Sequence, residues 1–203
     1  MFIDLTHRLN NDTPVYPGDA EVKISAVDSI EESGYLGNKL QLGTHSGTHI
    51  DAPAHMIPGG KTLDKFGVEA FIGRGYYIFL QNGVFTLEAV QAADIQQGDI
   101  VIFDTQMSYH YKKPEYFTNY PVMSAEIAQY LVDKKVKMVG VDTCSVDNTL
   151  KFPIHKILLG SNVLIIENLT NIEQLTGYDT TIYALPIKLD LDSAPARVVA
   201  EIN

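Results

Sequence analysis

Apolar residues in this chain gather into short runs separated by turn-forming residues. Residues 2–9 read as a strand that ends at Asn10-Asn11-Asp12, with Pro14 and the Pro17-Gly18-Asp19 turn beyond it. Residues 21–27 alternate polar and apolar side chains, the period of a strand with one exposed face. A third strand opens at 40–42 and runs into residues 43–60, where Gly, Thr, Ser and Pro crowd together. That segment is expected to be irregular backbone, the kind that displays functional groups on a rigid scaffold.

The second half changes rhythm. Residues 75–80 (GYYIFL) and 100–104 (IVIFD) are continuous apolar runs bounded by turns, as in strands buried on both faces. Residues 86–90 read as a short helix starting near Phe85 or Thr86. The clearest helix is 124–135: Ser124 suits the N-cap, Ile127, Tyr130 and Leu131 share a face, and Lys134 and Lys135 complement the C-terminal dipole. A strand at 136–141, a helix at 152–159 stopped by Gly160, and strands at 162–167, 181–185 and 197–202 complete the pattern. Strands clustered early and alternating with helices late predict an α/β fold with a mixed sheet. No repeat, linker or low-complexity stretch divides the chain, so residues 1–203 are read as one domain.

Composition narrows the partners. Of 203 residues, 45% are hydrophobic and 20% charged, enough apolar surface for a core. Fifteen basic against twenty-five acidic residues leave a net charge of −10, the wrong sign for a chain that grips nucleic-acid phosphates. The longest apolar stretches are strand-length, far short of the ~20 residues a membrane span needs. The single cysteine, Cys144, has no partner for an intrachain disulfide, and the opening MFIDLTHRLN lacks the marks of an export signal. A cytoplasmic location is expected.

Three of the six histidines fall with an aspartate inside one eleven-residue stretch: His45, His49, Asp51 and His55, spaced H-x3-H-x-D-x3-H. Imidazole nitrogens and carboxylate oxygens are the ligands that Zn²⁺ and Mn²⁺ take. Gly47 and Pro53 oppose a regular helix here, so the donors have to converge through a shaped loop lined by small residues. Further donors are available in His155, on the helix that Pro153 opens, and Glu167, at the end of an apolar strand. Alone, the first reads as a helix histidine and the second as a strand-end charge; beside the cluster both are candidates.

The stretch GTHSGTHIDAPAH resembles the signature of the cyclase family of metal-dependent hydrolases, which includes bacterial-type kynurenine formamidase and isatin hydrolase. The segments IDLTHRLNNDTPVYPGD, VGVDTCSVDN and ALPIKL, the His155 helix and the Glu167 strand look like that family in the same order. The resemblance implies a swivelling β/β/α domain that assembles as a homodimer or homotetramer. It implies two divalent ions, zinc first and manganese as the alternative. His45, His49 and Asp51 would bind metal, Asp51 and Glu167 would bridge the ions, and His155 would hold the second. His55 would donate and accept protons. A small-molecule amide would be the substrate, which makes the chain an arylformamidase-like amidohydrolase. Kynurenine formamidases carry a tryptophan in the N-terminal turn against the substrate's aryl ring; Tyr16 stands at that place here. Two other readings remain: an isatin-hydrolase-like enzyme opening a lactam with one Mn²⁺, and a non-catalytic metal-binding or scaffold protein. A thiol nucleophile at Cys144 is disfavoured because it would need a paired base, and the clustered histidines are better explained as ligands and acid/base. Asp142 and Asp147 are expected to orient ligands or to cap turns. His7 and His110 receive no role.

Overall fold

The computed structural model describes residues 1–203, and its sheet is made from the apolar runs of the sequence. In chain order the elements are β1 (Phe2–Asp4), β2 (Lys23–Asp28), the single turn α1 (Ile30–Ser33), β3 (Gly37–Gln41), β4 (His49–Asp51), β5 (Ile72–Phe79), α2 (Leu87–Ala92), β6 (Ile100–Asp104), α3 (Ala125–Asp133), β7 (Met138–Val141), α4 (Pro153–Gly160), β8 (Leu164–Glu167), β9 (Thr180–Pro186) and β10 (Ser193–Ile202). Ser124 caps α3 by accepting the Ile127 amide, and Thr86 caps α2 by accepting that of Ala89.

Strands β5, β6, β7 and β8 pair in parallel, with α2, α3 and α4 as the crossovers. Antiparallel pairings of β8 with β4, β4 with β10, β10 with β9 and β9 with β5 complete a closed ring of seven strands. Closure leaves none of these strands with a bare edge. The short β1 pairs with the far end of β10. This is the mixed-sheet α/β fold that the sequence implied.

Alternation along the buried strands makes two apolar layers. Ile100 and Ile102 of β6 pack with Ile50, Ile166 and Val198 inside the ring. Val101 and Phe103 face outward onto Ile127 and Leu131 of α3 and Leu158 of α4. No helix is long and apolar enough to cross a membrane.

Three expectations need correction. The segment 43–60 is not irregular throughout: its centre is β4, a strand buried at all three positions and paired on both sides. Of residues 2–9 only Phe2–Asp4 form a strand, followed by an isolated bridge from Thr6 to Leu169, because the chain then turns away to build the site. The last strand begins at Ser193 rather than 197, since its first three residues pair with β4 before the rest pairs with β9. Apart from the ring, β2 and β3 pair only with each other and leave Val27 and Leu40 exposed.

Candidate metal centre

Strand register brings the first donors together. His49 lies directly across from Glu167, and Asp51, two residues on, shares its face. Ile50 and Ile166 point the other way, into the ring. The chain enters β4 through Gly47 at φ +65°, where an added Cβ would meet Leu9 Cδ1 at 3.0 Å. That turn lays His45 over the strand, with Nδ1 2.9 Å from Asp51 Oδ1. After β4, Pro53–His55 form one turn of 3-10 helix that returns His55 to a ring-to-ring distance of 4.2 Å from His45. His155 arrives from the first turn of α4.

All six side chains singled out in the sequence therefore converge. His49 Nε2 is 3.5 Å from Asp51 Oδ1 and 3.5 Å from Glu167 Oε2. His155 Nε2 is 3.7 Å from Asp51 Oδ2 and 3.4 Å from Glu167 Oε1. Each carboxylate thus turns one oxygen toward His49 and the other toward His155. His49 Nε2 and both Asp51 oxygens are buried without a hydrogen bond, so even the short contact from His45 lacks hydrogen-bonding direction. Burying such groups uncompensated costs several kcal/mol. Donors at ~2.0–2.2 Å from one tetrahedral zinc stand roughly 3.3–3.6 Å apart, close to the spacings here. The donor set fits a divalent cation.

Partners behind the cluster aim each imidazole. His49 Nδ1 donates to the Gly47 carbonyl at 2.8 Å, leaving Nε2 free. Asn168 Nδ2 donates to that carbonyl at 3.0 Å, and the Tyr116 hydroxyl donates to Asn168 Oδ1 at 2.8 Å. His155 Nδ1 donates to Asp147 Oδ2 at 2.9 Å. The Asp147 carboxylate also accepts the amides of Ile154 and His155, so one side chain caps α4 and orients its histidine. Asp142 instead accepts from the Thr105 amide and hydroxyl and the Ser108 amide, shaping the turn after β6. Sequence reasoning missed Asp192, whose Oδ2 lies 3.1 Å from both His45 Nε2 and His55 Nδ1. It missed Asn168 as well; neither residue stands in a recognisable motif.

Charge in the cluster follows proximity. Burial works against the His45 cation, but Asp51 and Asp192 outweigh it and raise the group to about 9. For His155 burial is likewise overcome, by Asp147, Asp51 and Glu167, and the group reaches about 12. Burial opposes the Asp51 carboxylate, yet His49 and His45 beside it hold its pKa well below the usual range. His55 moves the other way, lowered by burial and by the cationic His45 and His155.

The cluster opens into a cavity of about 420 Å³, whose outer walls include Tyr16, Met56, Phe117 and Phe152. Tyr16 is partly exposed and stands edge-on to Phe117 at 6.3 Å. A cleft of about 550 Å³ near Thr6, His7 and Arg8 contains none of the six donors. Cys144 lines the cavity, but burial and nearby Glu167 push its thiol up to about 12, which leaves it protonated. His7 stacks on Tyr111 at 3.6 Å and His110 pairs with Glu115 at the surface.

The sequence profile of the family described as "Putative cyclase" matches residues 3–148. The kynurenine formamidase of Bacillus anthracis is 31% identical over 205 residues, spanning 98% of this chain and 96% of that protein. Isatin hydrolase A from Ralstonia solanacearum superposes with a TM-score of 0.85 at 26% identity, over 98% of this chain and 91% of its own. A structure described as a potential metal-dependent hydrolase with cyclase activity gives 0.81 at 29% identity, over 98% and 96%. On the extent of these matches, the chain belongs to the cyclase family of metal-dependent hydrolases.

Proposed function

We propose that this protein hydrolyses small amides, with an aryl formamide as the substrate class. The observation that carries the reading is the division of Asp51 and Glu167 between two imidazole sets, around buried atoms that no hydrogen bond satisfies. That division suits two cations, which His45, His49, His155, Asp51 and Glu167 would hold between them. Bound there, divalent ions, zinc by preference, supply Lewis acidity that polarises a carbonyl and acidifies water.

His55 is assigned the proton transfers. Its Nδ1 is engaged by Asp192, which leaves Nε2 to take a proton and to return it to the departing amine. Its lowered pKa keeps it neutral near pH 7 and ready to act first as a base. Tyr16 and Phe117 offer aromatic faces to the rest of the substrate.

A second reading is lactam opening, which the resemblance to isatin hydrolase A supports; we propose a single manganese ion for it. Metal analysis of protein purified without chelator, followed by assays on N-formylkynurenine, simple aryl formamides and isatin, separates the readings. Two equivalents of metal with formamide turnover are expected. One equivalent with isatin turnover would favour the second reading, and bound metal without any turnover would leave a binding protein.

Homo-oligomerisation is proposed on the β2–β3 hairpin. A two-stranded sheet bare on both faces is marginal by itself, and a second copy offers the same surface about a twofold axis. Light scattering should give a dimer or tetramer mass, reduced by Leu40→Asp.

A further inference from the structure

At Phe152 the backbone departs furthest from what the residue favours, with φ 48° and ψ 51°. Seven non-glycine residues have positive φ; four are asparagines, which tolerate it, and Phe152 is the one aromatic. Pro153 follows, and a proline pushes the residue before it toward extended backbone. Phe152 also occupies the N-cap of α4 without supplying a capping side chain, a duty met by Asp147. Local preference is thus overruled three times at one position.

The surroundings hold it there. Its amide donates to Thr149 O at 3.1 Å, and its carbonyl accepts the Lys156 amide at 3.2 Å as the first bond of α4. The benefit is not core packing, since Phe152 belongs to none of the apolar clusters. Its ring lies in the wall of the cavity, 5.9 Å from the His155 ring with planes at 88°. Strain in a sparsely populated backbone region persists where the position of the side chain is used.

We propose that Phe152 is a specificity-determining residue: its ring is the wall on which the aromatic part of an amide substrate packs, and the left-handed backbone is kept to hold it there. Aromatic rings pair offset or edge-on, and a cavity of this size takes one aryl group with its amide. The inference rests on the aryl-amide reading of the site for its substrate, but its binding and melting tests do not depend on turnover.

The experiment compares metal-loaded wild type, Phe152→Gly and Phe152→Ala. Fluorescence titration with 2-aminobenzoate should show about tenfold weaker binding to both variants. KM for N-formylaniline should rise more than KM for N-methylformamide, with metal content unchanged. Because glycine accepts left-handed backbone and alanine does not, the glycine variant should melt about 2–4 °C above the alanine variant. Equal melting, or the reverse order, would overturn the strain; undiminished 2-aminobenzoate binding, or none even to wild type, would overturn the wall. Wild type that binds 2-aminobenzoate yet hydrolyses no formamide would sink the activity reading and leave the wall standing.

Discussion

Each histidine of the cluster has one nitrogen occupied and the other free, and the occupant decides its use. The Gly47 carbonyl and the Asp147 carboxylate hold Nδ1 of His49 and His155, whereas Asp192 holds Nε2 of His45 and Nδ1 of His55. Asp51→Ala removes the oxygens shared by both imidazole sets, so metal and activity should vanish together in metal analysis and assay. His55→Gln should keep its metal and lose about 10²–10⁴ of kcat. Asp192→Ala frees two rings at once and should lower kcat about 10–100-fold, with a smaller loss of metal. The six converging side chains were legible as candidates because four lie in one compact motif and the other two follow features that sequence displays, a proline-opened helix and a strand end. Asp192 was not, because in LDLDS it is one aspartate beside another, and only folding selects it.

Elements matter here by the direction in which they deliver side chains. Asp147→Ala would uncap α4 and release His155; a loss of about 1–2 kcal/mol in denaturant unfolding is expected, with weakened metal binding. Gly60→Ala acts on the other side. A Cβ there would lie 2.5–2.8 Å from the backbone of Pro53 and Ala54, so the turn carrying His55 has to move. Turnover should fall while metal content stays, and a variant with native kcat would show that this turn does not set His55. The buried strands and capped helices could be read from apolar runs and from Ser124 and Thr86. Strand β4 could not: three residues are too few to show a period, and both its partners lie more than a hundred residues further along the chain.

For the molecule as a whole, the cluster couples protons to folding. Without metal, His45 is raised from 6.5 to about 9 and His155 from 6.5 to about 12, so both bind protons more tightly folded than unfolded. Their contribution to stability is complete below about pH 6.5 and is lost as pH climbs toward 9 for His45 and 12 for His155. Chelator-treated protein should therefore melt at falling temperatures from pH 6.5 to 9.5 in calorimetry, and metal-loaded protein, whose cations replace those protons, should change less. Equal slopes would mean that the cations bind elsewhere. The ring itself has a temporal corollary. Every donor has been translated once Glu167 is made, yet Asp192 and residues 193–202, which seal β4 and β9 into the sheet, come later. A chain halted just after Asn168 would hold every residue that lines the cavity, yet lack both the strand that flanks β4 on its second side and the carboxylate that steadies His45 and His55.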